Sequence, residues 1–427
     1  MPIEITPSRK LFLTNYPSFR YWKKKHIENL NQDKPLSLYI HIPFCSGKCA
    51  FCYYLTHKYK NQEQVNRYAD ALCSEINTVN SEFDLSKRKI DSVYFGGGTP
   101  SLLNDKQLAN IINTLNQNFD LTNDVELTIE INPNLVNTKK VGLLNDLGFN
   151  RISMGVQSFD DNTLKLSERK HTSGKAEEAV NILLSESNAS VNIDLLSGLA
   201  GDNLQTWEQT IRKAVDLKVH NITVYKLQTY SNTGFYKKGV RKEIIDLPSD
   251  DEEVKFMSLA LDVFEQHNYK PLTYFTFGLS GDYDHKYVNN IWNNGDLYSF
   301  GISGFGNLGN TCFQNTSDLE KYYNHIDNSE IPLARGYKLS LTESLIRYIV
   351  LRMKLCTLNT DEMQDIYGIN ILKIIPDVIS ELTDQDYISI DSATLSLTRK
   401  GLLFGDYAGA RIAHGLKEYF KMDKLLL

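Results

Sequence analysis

Apolar and polar positions follow two rhythms along the first part of the chain. Short runs rich in β-branched and aromatic residues predict six strands, at residues 36–42, 92–95, 126–131, 151–154, 190–195 and 222–226. Stretches with apolar residues every three or four positions predict helices between them, at residues 63–78, 105–118, 138–147, 174–185 and 204–217. Because strand and helix alternate, we expect parallel pairing with right-handed crossovers and an α/β fold.

Six such units predict a partial (β/α)6 barrel of the TIM-like kind, which stays open because it has fewer strands than a closed barrel. In barrels of this kind the reactive groups come from the C-terminal ends of the strands and from the loops that follow them. We therefore expect one site, at that end of the barrel.

An acidic, proline-containing turn at residues 246–251 marks a boundary. We divide the chain into an N-terminal arm (1–35), the barrel (36–245) and a C-terminal domain (246–427). The pattern in this last domain predicts helices at 252–267, 339–355, 360–367 and 371–382, strands at 388–390 and 395–397, and a final helix from about residue 402. Helices followed by a small hairpin are typical of a winged helix, an α+β arrangement that either contacts DNA or here covers the barrel mouth.

The overall charge favours the second of these roles for the C-terminal domain, a cover over the barrel mouth. The 427 residues are 41% apolar and carry a net charge of −6, which gives no general attraction for nucleic acid or for an anionic membrane. No apolar run has the length of a membrane span, and no apolar leader follows Met1. We expect a cytoplasmic protein with reduced thiols and with neither nucleic-acid nor membrane partners.

Three cysteines, Cys45, Cys49 and Cys52, follow the first predicted strand at a spacing of three residues and then two. Three thiolates on a 4Fe-4S cluster leave one iron open, and an open metal position is where substrate chemistry takes place. The pattern therefore predicts an enzyme. Structural zinc, with His41 and His57 completing a tetrahedral site with two of the thiols, is an alternative, although no second cysteine pair follows.

The glycine run Gly96–Gly98, closed by Thr99 and Pro100, follows the second predicted strand. Without Cβ atoms, its backbone can approach a polar ligand closely and offer N–H groups. No Lys-Ser or Lys-Thr pair ends the run, so it is not a Walker loop. An ordinary turn is the plainer interpretation, and the position after a strand and a three-cysteine loop favours the ligand.

Two carboxylates lie in apolar strands, Glu130 in the third and Asp194 in the fifth. Ionised carboxylates are rarely buried without a partner. Arg151 and Arg169 would supply partners in a purely structural ion-pair network. A cationic ligand with an amine, a sulfonium and ribose hydroxyls would satisfy the same groups, and we favour it.

Four strings taken together resemble those of the radical S-adenosylmethionine (SAM) enzymes, and within them the oxygen-independent coproporphyrinogen III oxidase-like group. They are LSLYIHIPFC at 36–45, GGGTP at 96–100, GFNRISMGVQ at 148–157 and NIDLLSGL at 192–199. The strings occur in the family's order, and the resemblance is densest from about residue 35 to residue 201. It implies the radical SAM type of partial barrel, a 4Fe-4S cluster and SAM.

The resemblance also implies roles for individual residues. Cys45, Cys49 and Cys52 would hold the cluster, whose open iron chelates the amino and carboxylate groups of SAM. The remaining residues would contact SAM or flank the cluster: Tyr39, Phe51, Gly97, Gly98, Thr99, Glu130, Gln157, Arg169 and Asp194. Gln228, after the sixth strand, matches a position where some members hold a second SAM, and the glycine-rich segment 300–306 either lines that place or is only a turn.

One departure bears on the reaction. Members that decarboxylate coproporphyrinogen carry a further cysteine two positions after the third ligand, where this chain has Tyr54. The segment Asn15–Arg20 resembles the N-terminal arm of those same members, which points the other way.

The leading hypothesis is therefore a radical SAM enzyme that modifies a carbon centre of a small metabolite, with methyl or methylene transfer from a second SAM as one form. Its expected partners are a small-molecule substrate and a low-potential electron donor such as flavodoxin or ferredoxin. Coproporphyrinogen III decarboxylation and haem ring opening are alternatives. A haem-binding chaperone that uses His41 or His57 is another, and for His41 the plain interpretation is a buried ring bonded to a backbone carbonyl.

Overall fold

The computed structural model describes residues 5–9, 11–23, 35–242, 244–279 and 285–424. The strands are β1 Leu36–Ile42, β2 Phe44–Cys45, β3 His57–Lys58, β4 Lys89–Gly97, β5 Asp120–Ile131, β6 Arg151–Gln157, β7 Ser190–Ser197, β8 Asn221–Lys226, β9 Tyr269–Pro271, β10 Thr276–Leu279, β11 Asp296–Phe300, β12 Phe305–Leu308, β13 Thr311–Asn315, β14 Leu333–Lys338, β15 Thr357–Asn359, β16 Ile388–Asp391 and β17 Thr394–Leu397.

The helices are α1 Gln62–Phe83, α2 Asp105–Asn118, α3 Thr138–Asp146, α4 Asp161–Leu166, α5 Ser173–Glu186, α6 Leu204–Asp216, α7 Asp250–Gln266, α8 Lys286–Trp292, α9 Leu319–Asp327, α10 Leu341–Arg352, α11 Thr360–Tyr367, α12 Ile371–Ile374, α13 Pro376–Asp384, α14 Arg399–Phe404 and α15 Tyr407–Tyr419. Within the described ranges, no helix is both long enough and apolar enough to span a membrane.

The six predicted strands lie side by side in the predicted order. They are β1, β4, β5, β6, β7 and β8, each parallel to the next. Their side chains are buried on both faces for much of their length, as parallel strands covered by helices require. The α/β fold with a six-unit parallel barrel is confirmed.

The sheet has more strands than predicted, because strands from residues 269–338 extend it at both edges. β11 pairs parallel with β1 and continues into β12, β13 and β14, while β10 and β9 continue antiparallel from β8. These six strands have only three to six residues each. Such short runs contain too few alternations to reveal a period of two. The division at residue 245 stays a prediction, with the sheet itself passing beyond it.

Helix starts follow local capping chemistry. The Asn104 side chain accepts a hydrogen bond from the Gln107 N–H, and the Gln107 side chain accepts one from the Asn104 N–H, so α2 begins where the sequence predicts. Ser249 and Glu252 form the same reciprocal pair at the start of α7, whose first turn carries four carboxylates. Carboxylates at a helix N-terminus are stabilised by the helix dipole.

The C-terminal helices build a second apolar core. α10, α13 and α15 pack around Ile349, Leu382 and Ile412, and β15, β17 and β16 form a small antiparallel sheet beside them. The helical domain with a small hairpin is as expected. The N-terminal segment joins this core, since the Leu13 N–H donates to Asp406 across 2.5 Å and Tyr16 is fully buried. Residues 24–34 of the predicted arm lie outside the described residues.

Candidate active site

The three cysteines lie in the loop that leaves β1. Cys45 is in β2, which is held by the parallel partner β3, and the Cys52 N–H donates to the Cys49 carbonyl across 3.1 Å. The Thr99 hydroxyl donates to the Cys45 sulfur at 3.4 Å, and the Arg169 guanidinium donates to the Cys49 sulfur at 3.5 Å. The loop therefore meets the ends of β4 and β6, as barrel geometry predicts.

The surroundings of the cysteines disfavour the ionised thiolate form. Burial raises the pKa of the Cys45 thiol and raises that of the Cys52 thiol to about 11, and in both cases the neighbouring cysteines add to the effect. A metal that deprotonates the thiols removes this cost. In the part of the chain described, no three His, Cys, Asp or Glu side chains are placed to share one ion. Three free cysteine thiols on one loop are the donor set of a 4Fe-4S cluster with one open iron, so the residues present fit that group.

The glycine turn after β4 passes through a space that admits no side chain. Gly97 has φ of +112°, and a Cβ there would lie 2.6 Å from the His41 ring. A Cβ on Gly98 would lie 2.7 Å from the Phe44 carbonyl oxygen. The Gly98 N–H donates to the Ile42 carbonyl at 2.7 Å, and the Gly97 N–H donates to Glu130 at 3.1 Å. Both N–H groups are thus used inside the protein, contrary to the expectation that they are offered to a ligand.

Glu130 ends β5 and accepts two hydrogen bonds, from the Tyr94 hydroxyl at 3.0 Å and from the Gly97 N–H. Burial, with the neighbouring Asp194 carboxylate next in size, raises the pKa of Glu130 to about 7. Asp194, on β7, accepts from the Ser153 hydroxyl and from the Asn192 amide, both at 2.9 Å, and burial raises its pKa too. The two carboxylates are therefore held by neutral donors.

The structural ion-pair network is not formed. Among the described residues, no Lys, Arg or His nitrogen lies within the 4.0 Å of an ion pair with Glu130 or Asp194. Arg151 and Arg169 act on Asp194 only at longer range. The Nε atoms of both arginines are buried and have no hydrogen-bond partner among the residues that the structure describes, and the same holds for Nε2 of His41. Carboxylates that lack a cation and buried N–H donors that lack an acceptor lie around one space. They fit a ligand that carries both a cationic amine and a carboxylate.

Tyr39 and His41 face this space from β1. The Tyr39 hydroxyl lies 3.4 Å from His41 Nδ1, and the Tyr39 ring stacks on Tyr94 at 5.9 Å between centroids. His41 is buried within β1, as the plain interpretation expects, but among the described residues its ring bonds no backbone carbonyl. Burial, followed by the effect of His57, lowers the pKa of His41 to about 4, which keeps the ring neutral.

The other predicted residues spread over the ends of β6, β7 and β8. Gln157 has φ of +71°, and its amide occupies the place a Cβ on Gly155 would need. Phe51 packs on an apolar cluster that includes Leu199 and Phe235. Gln228 is half-buried two residues after β8, and no described contact joins it to the cysteine loop. The segment 300–306 forms the turn between β11 and β12, and its role toward a second SAM stays a prediction.

Sequence reasoning missed the residues that hold the carboxylates. Tyr94, Ser153 and Asn192 donate to them from β4, β6 and β7. A signal existed, because Ser153 is two positions from Arg151 and Asn192 two positions from Asp194, so each pair lies on one face of its strand. Tyr225, on β8, was also missed. Burial, followed by the carboxylates of Asp194 and Glu130, raises the pKa of its hydroxyl.

Comparison with known proteins agrees with this geometry. A family model described as the radical SAM superfamily matches residues 39–214. The chain is 31% identical over 350 residues to the oxygen-independent coproporphyrinogen III oxidase of Synechocystis sp., covering 78% of this chain and 74% of that protein. It is 27% identical over 378 residues to the heme chaperone HemW of Lactococcus lactis, covering 87% and 96%.

The fold matches a solved structure over nearly its whole length. Coproporphyrinogen III oxidase (HemN) from Escherichia coli superimposes with a TM-score of 0.82 at 23% identity, covering 96% of this chain and 97% of that chain. Family membership implies a 4Fe-4S cluster and SAM as cofactors. The chain belongs to the radical SAM superfamily and, within it, to the oxygen-independent coproporphyrinogen III oxidase-like group.

Proposed function

We propose that Cys45, Cys49 and Cys52 hold a 4Fe-4S cluster with one open iron, and that Glu130 and Asp194 bind the SAM that meets it. The observation that carries this proposal is a pair of carboxylates that form no ion pair with any described cation and lie near the loop of three half-buried thiols. A cationic ligand supplies the missing partner through charge-assisted hydrogen bonds.

The other side chains divide the ligand between them. Arg169, which already reaches the Cys49 sulfur, has a free Nε to offer a carboxylate. Gly97, Gly98 and Thr99 are assigned to the methionine end of SAM, because they match the family's motif at those positions. Tyr39, Phe51 and Gln157 flank the same space from β1, the cysteine loop and β6. The roles of these residues rest on their position and on the family motifs.

When bound, the cluster supplies one electron for reductive cleavage of SAM to a 5′-deoxyadenosyl radical. The protein's part is to orient the substrate carbon and to exclude water and stray hydrogen donors. Tyr225 also lines a small neighbouring cavity of about 30 Å³. That cavity is lined by Phe12 of the N-terminal segment and by Tyr274 and Phe404 of the C-terminal domain, which supports a covering role for both segments.

The direct test is SAM cleavage. We expect the reconstituted protein, kept free of oxygen and reduced with dithionite, to convert SAM to 5′-deoxyadenosine and methionine. A protein that carries a full cluster and yields no 5′-deoxyadenosine would remove the proposal.

For the substrate, coproporphyrinogen III decarboxylation is the candidate with most support. The Synechocystis relative bears that name and matches three quarters of its length. The departure at Tyr54 weighs against it, because a hydroxyl there replaces a thiol. Product analysis after incubation with coproporphyrinogen III, SAM and dithionite decides: loss of two carboxyl groups supports decarboxylation, and unchanged substrate excludes it.

Two further candidates remain for the same site. The Lactococcus relative is named a heme chaperone, and haem titration of the His41→Ala and His57→Ala variants tests that function. None of the relatives above bears the name of a methyltransferase, so methyl transfer from a second SAM at Gln228 has no support from them. Mass spectrometry of products formed with deuterated SAM methyl groups tests it. For each of the radical reactions, we propose a low-potential electron donor such as flavodoxin or ferredoxin as a partner.

A further inference from the structure

Glu75 is a buried carboxylate outside the site described above. It lies on α1 with no exposed surface and accepts three hydrogen bonds, from the Gly301 N–H at 2.8 Å, the Asn315 side-chain amide at 2.8 Å and the Tyr322 hydroxyl at 2.7 Å. Among the described residues it forms no ion pair. Burying a carboxylate without a cation is costly, and three donors from three different elements supply the compensation.

A carboxylate suits these three donors and an amide does not. Oε2 of Glu75 accepts from Gly301 and Tyr322, and Oε1 accepts from Asn315. A glutamine has one acceptor oxygen, so its NH2 group would face either the Gly301 N–H or the Asn315 amide, which are both donors. The Asn315 amide cannot turn round without loss, because it also donates to the Ser299 and Gly301 carbonyls at 3.3 and 3.0 Å. The three contacts together therefore require the acidic side chain.

Gly301 and Ile302 belong to the turn between β11 and β12, which lies against the end of β1. The Ile302 N–H donates to the Tyr68 hydroxyl at 3.0 Å, and that hydroxyl donates to the His41 carbonyl at 2.9 Å. Gly301 has φ of +93°, and a Cβ there would clash with the Tyr68 hydroxyl and lie 2.8 Å from the His41 carbonyl oxygen. Tyr68 and Glu75 are seven residues apart on α1, so they lie on one face of the helix. Together they hold the turn against the His41 backbone.

Tyr68 connects this turn to the site at two points. The first is His41, whose backbone it contacts and whose ring lies 3.4 Å from the Tyr39 hydroxyl in the ligand space. The second is Phe44, whose ring packs edge-on against the Tyr68 ring at 5.3 Å between centroids. Phe44 directly precedes Cys45, so Tyr68 supports both the His41 backbone and the start of the cysteine loop.

We propose that Glu75 is a positioning residue. Through the turn at 301–302 and through Tyr68, it fixes the end of β1, and with it the His41 ring and the start of the cysteine loop. Glu75 and Tyr68 are both fully buried, so they act on a ligand only through the residues that they support. The proposal rests on the proposed function where it concerns SAM. The competing role for Glu75 is stability alone, by tying α1 to α9 through Tyr322.

Two tyrosines give a matched pair of variants that separates these roles. Tyr68 and Tyr322 are both fully buried, their ring centroids lie 5.5 Å apart, and replacement by Phe removes one hydroxyl from each. Tyr68→Phe breaks the link from the turn to His41 and leaves the three hydrogen bonds of Glu75 in place. Tyr322→Phe removes one donor to Glu75 and leaves the turn attached to His41.

SAM affinity is measured by equilibrium binding to reconstituted proteins of equal iron content. The measurement is made at about pH 8.5, where Glu75 is ionised, because burial raises the pKa of this residue to about 7. We expect SAM to bind about tenfold more weakly to Tyr68→Phe and to Glu75→Gln, because loss of a supporting residue displaces the groups that it orients. Tyr322→Phe should bind SAM as the unaltered protein does, although both tyrosine variants should unfold at lower urea concentrations.

Hydrogen exchange gives a second readout, which needs no SAM. In the reconstituted proteins we expect the amides of residues 40–45 to exchange faster in Tyr68→Phe and in Glu75→Gln than in Tyr322→Phe, as measured by mass spectrometry of peptides. Equal loss of SAM affinity in the two tyrosine variants, full affinity in Tyr68→Phe, or equal exchange over residues 40–45 would overturn the proposal. If Glu75→Gln does not fold, the tyrosine pair decides. If the unaltered protein with a full cluster binds no SAM, the proposed function fails instead, and hydrogen exchange still decides the role of Glu75.

Discussion

The Gly97 N–H donates a hydrogen bond to the Glu130 carboxylate across 3.1 Å, which joins the glycine turn after β4 to the end of β5. Tyr94 fixes the other carboxylate oxygen at 3.0 Å. The carboxylate is thereby aimed before any ligand arrives, and it has no cation within ion-pair distance among the described residues. Because the carboxylate is already oriented in the folded protein, less conformational entropy is lost when a ligand binds.

The first prediction concerns pH. Burial and Asp194 raise the pKa of Glu130 to about 7, so the carboxyl is neutral below that pH and anionic above it. SAM carries positive charge, and its affinity should therefore rise as the pH increases through about 7 and then level off. Below that pH we expect up to about a tenfold loss of affinity per pH unit.

Equilibrium SAM binding at a series of pH values checks this expectation. The Glu130→Gln variant serves as control, because it removes the titrating group and should flatten the profile. An unchanged profile in that variant would assign the titration to another residue.

The second prediction concerns Asp194. The Asp194 carboxylate accepts hydrogen bonds from Ser153 and Asn192, which hold it in place. The substitution Asp194→Asn keeps the shape of the side chain and removes its charge. Loss of one charged hydrogen bond should weaken SAM binding roughly ten- to hundredfold, with the cluster retained. Asp202→Asn is the matched control, since Asp202 lies in the loop after β7 and accepts a hydrogen bond from the Leu199 N–H. Unchanged SAM binding in Asp194→Asn would remove that residue from the site.

The third prediction concerns the glycine turn. Gly98→Ala would place a Cβ 2.7 Å from the Phe44 carbonyl oxygen and 2.8 Å from that of Ile42. Both are backbone atoms and cannot rotate away, so we expect a loss of about 1–3 kcal/mol in the free energy of unfolding, together with loss of SAM binding.

Gly142→Ala is the comparison for that experiment. Gly142 lies in α3 with nothing within 4 Å of an added Cβ, and replacement should stabilise the protein by about 0.5–1 kcal/mol. Equal unfolding free energies for the two variants, measured by denaturant titration, would contradict the described path of the turn.

The fourth prediction separates ligand cysteines from packing cysteines. Cys49→Ala should abolish the iron–sulfur absorbance and all SAM cleavage. Cys356→Ala should leave both intact, since Cys356 packs against the C-terminal core, away from the loop. Equal loss in the two variants, measured as iron content and absorbance after reconstitution, would show that the ligands are misassigned.

The repeating part of the fold could be predicted from sequence because each element reports its own surroundings. Apolar runs in β1 and β7 reflect burial on both faces, and capping at Asn104 fixes the start of α2. The strands between residues 269 and 338 could not be found in this way. Each is short, and its pairing depends on distant partners such as β1 and β8.

The residues of the site likewise fall into those that the sequence predicts and those that only the structure reveals. Sequence patterns find Cys45 and Glu130 because a thiol cluster and a carboxylate in an apolar strand are unusual in themselves. Tyr94, which donates to Glu130, and Ser153, which donates to Asp194, are ordinary strand residues whose type gives no such signal. The use of the Gly97 and Gly98 N–H groups inside the protein depends on which chain lies opposite, and only the folded structure reveals it.

Mössbauer spectroscopy of the protein reconstituted with iron-57, recorded with and without SAM, tests the central claim most directly. Three protein thiolates and one open iron predict a 4Fe-4S spectrum in which one of the four iron sites changes when SAM is added, and predict that Glu130→Gln weakens this change. A spectrum without a 4Fe-4S cluster, or one in which no iron site responds to saturating SAM, would contradict the account.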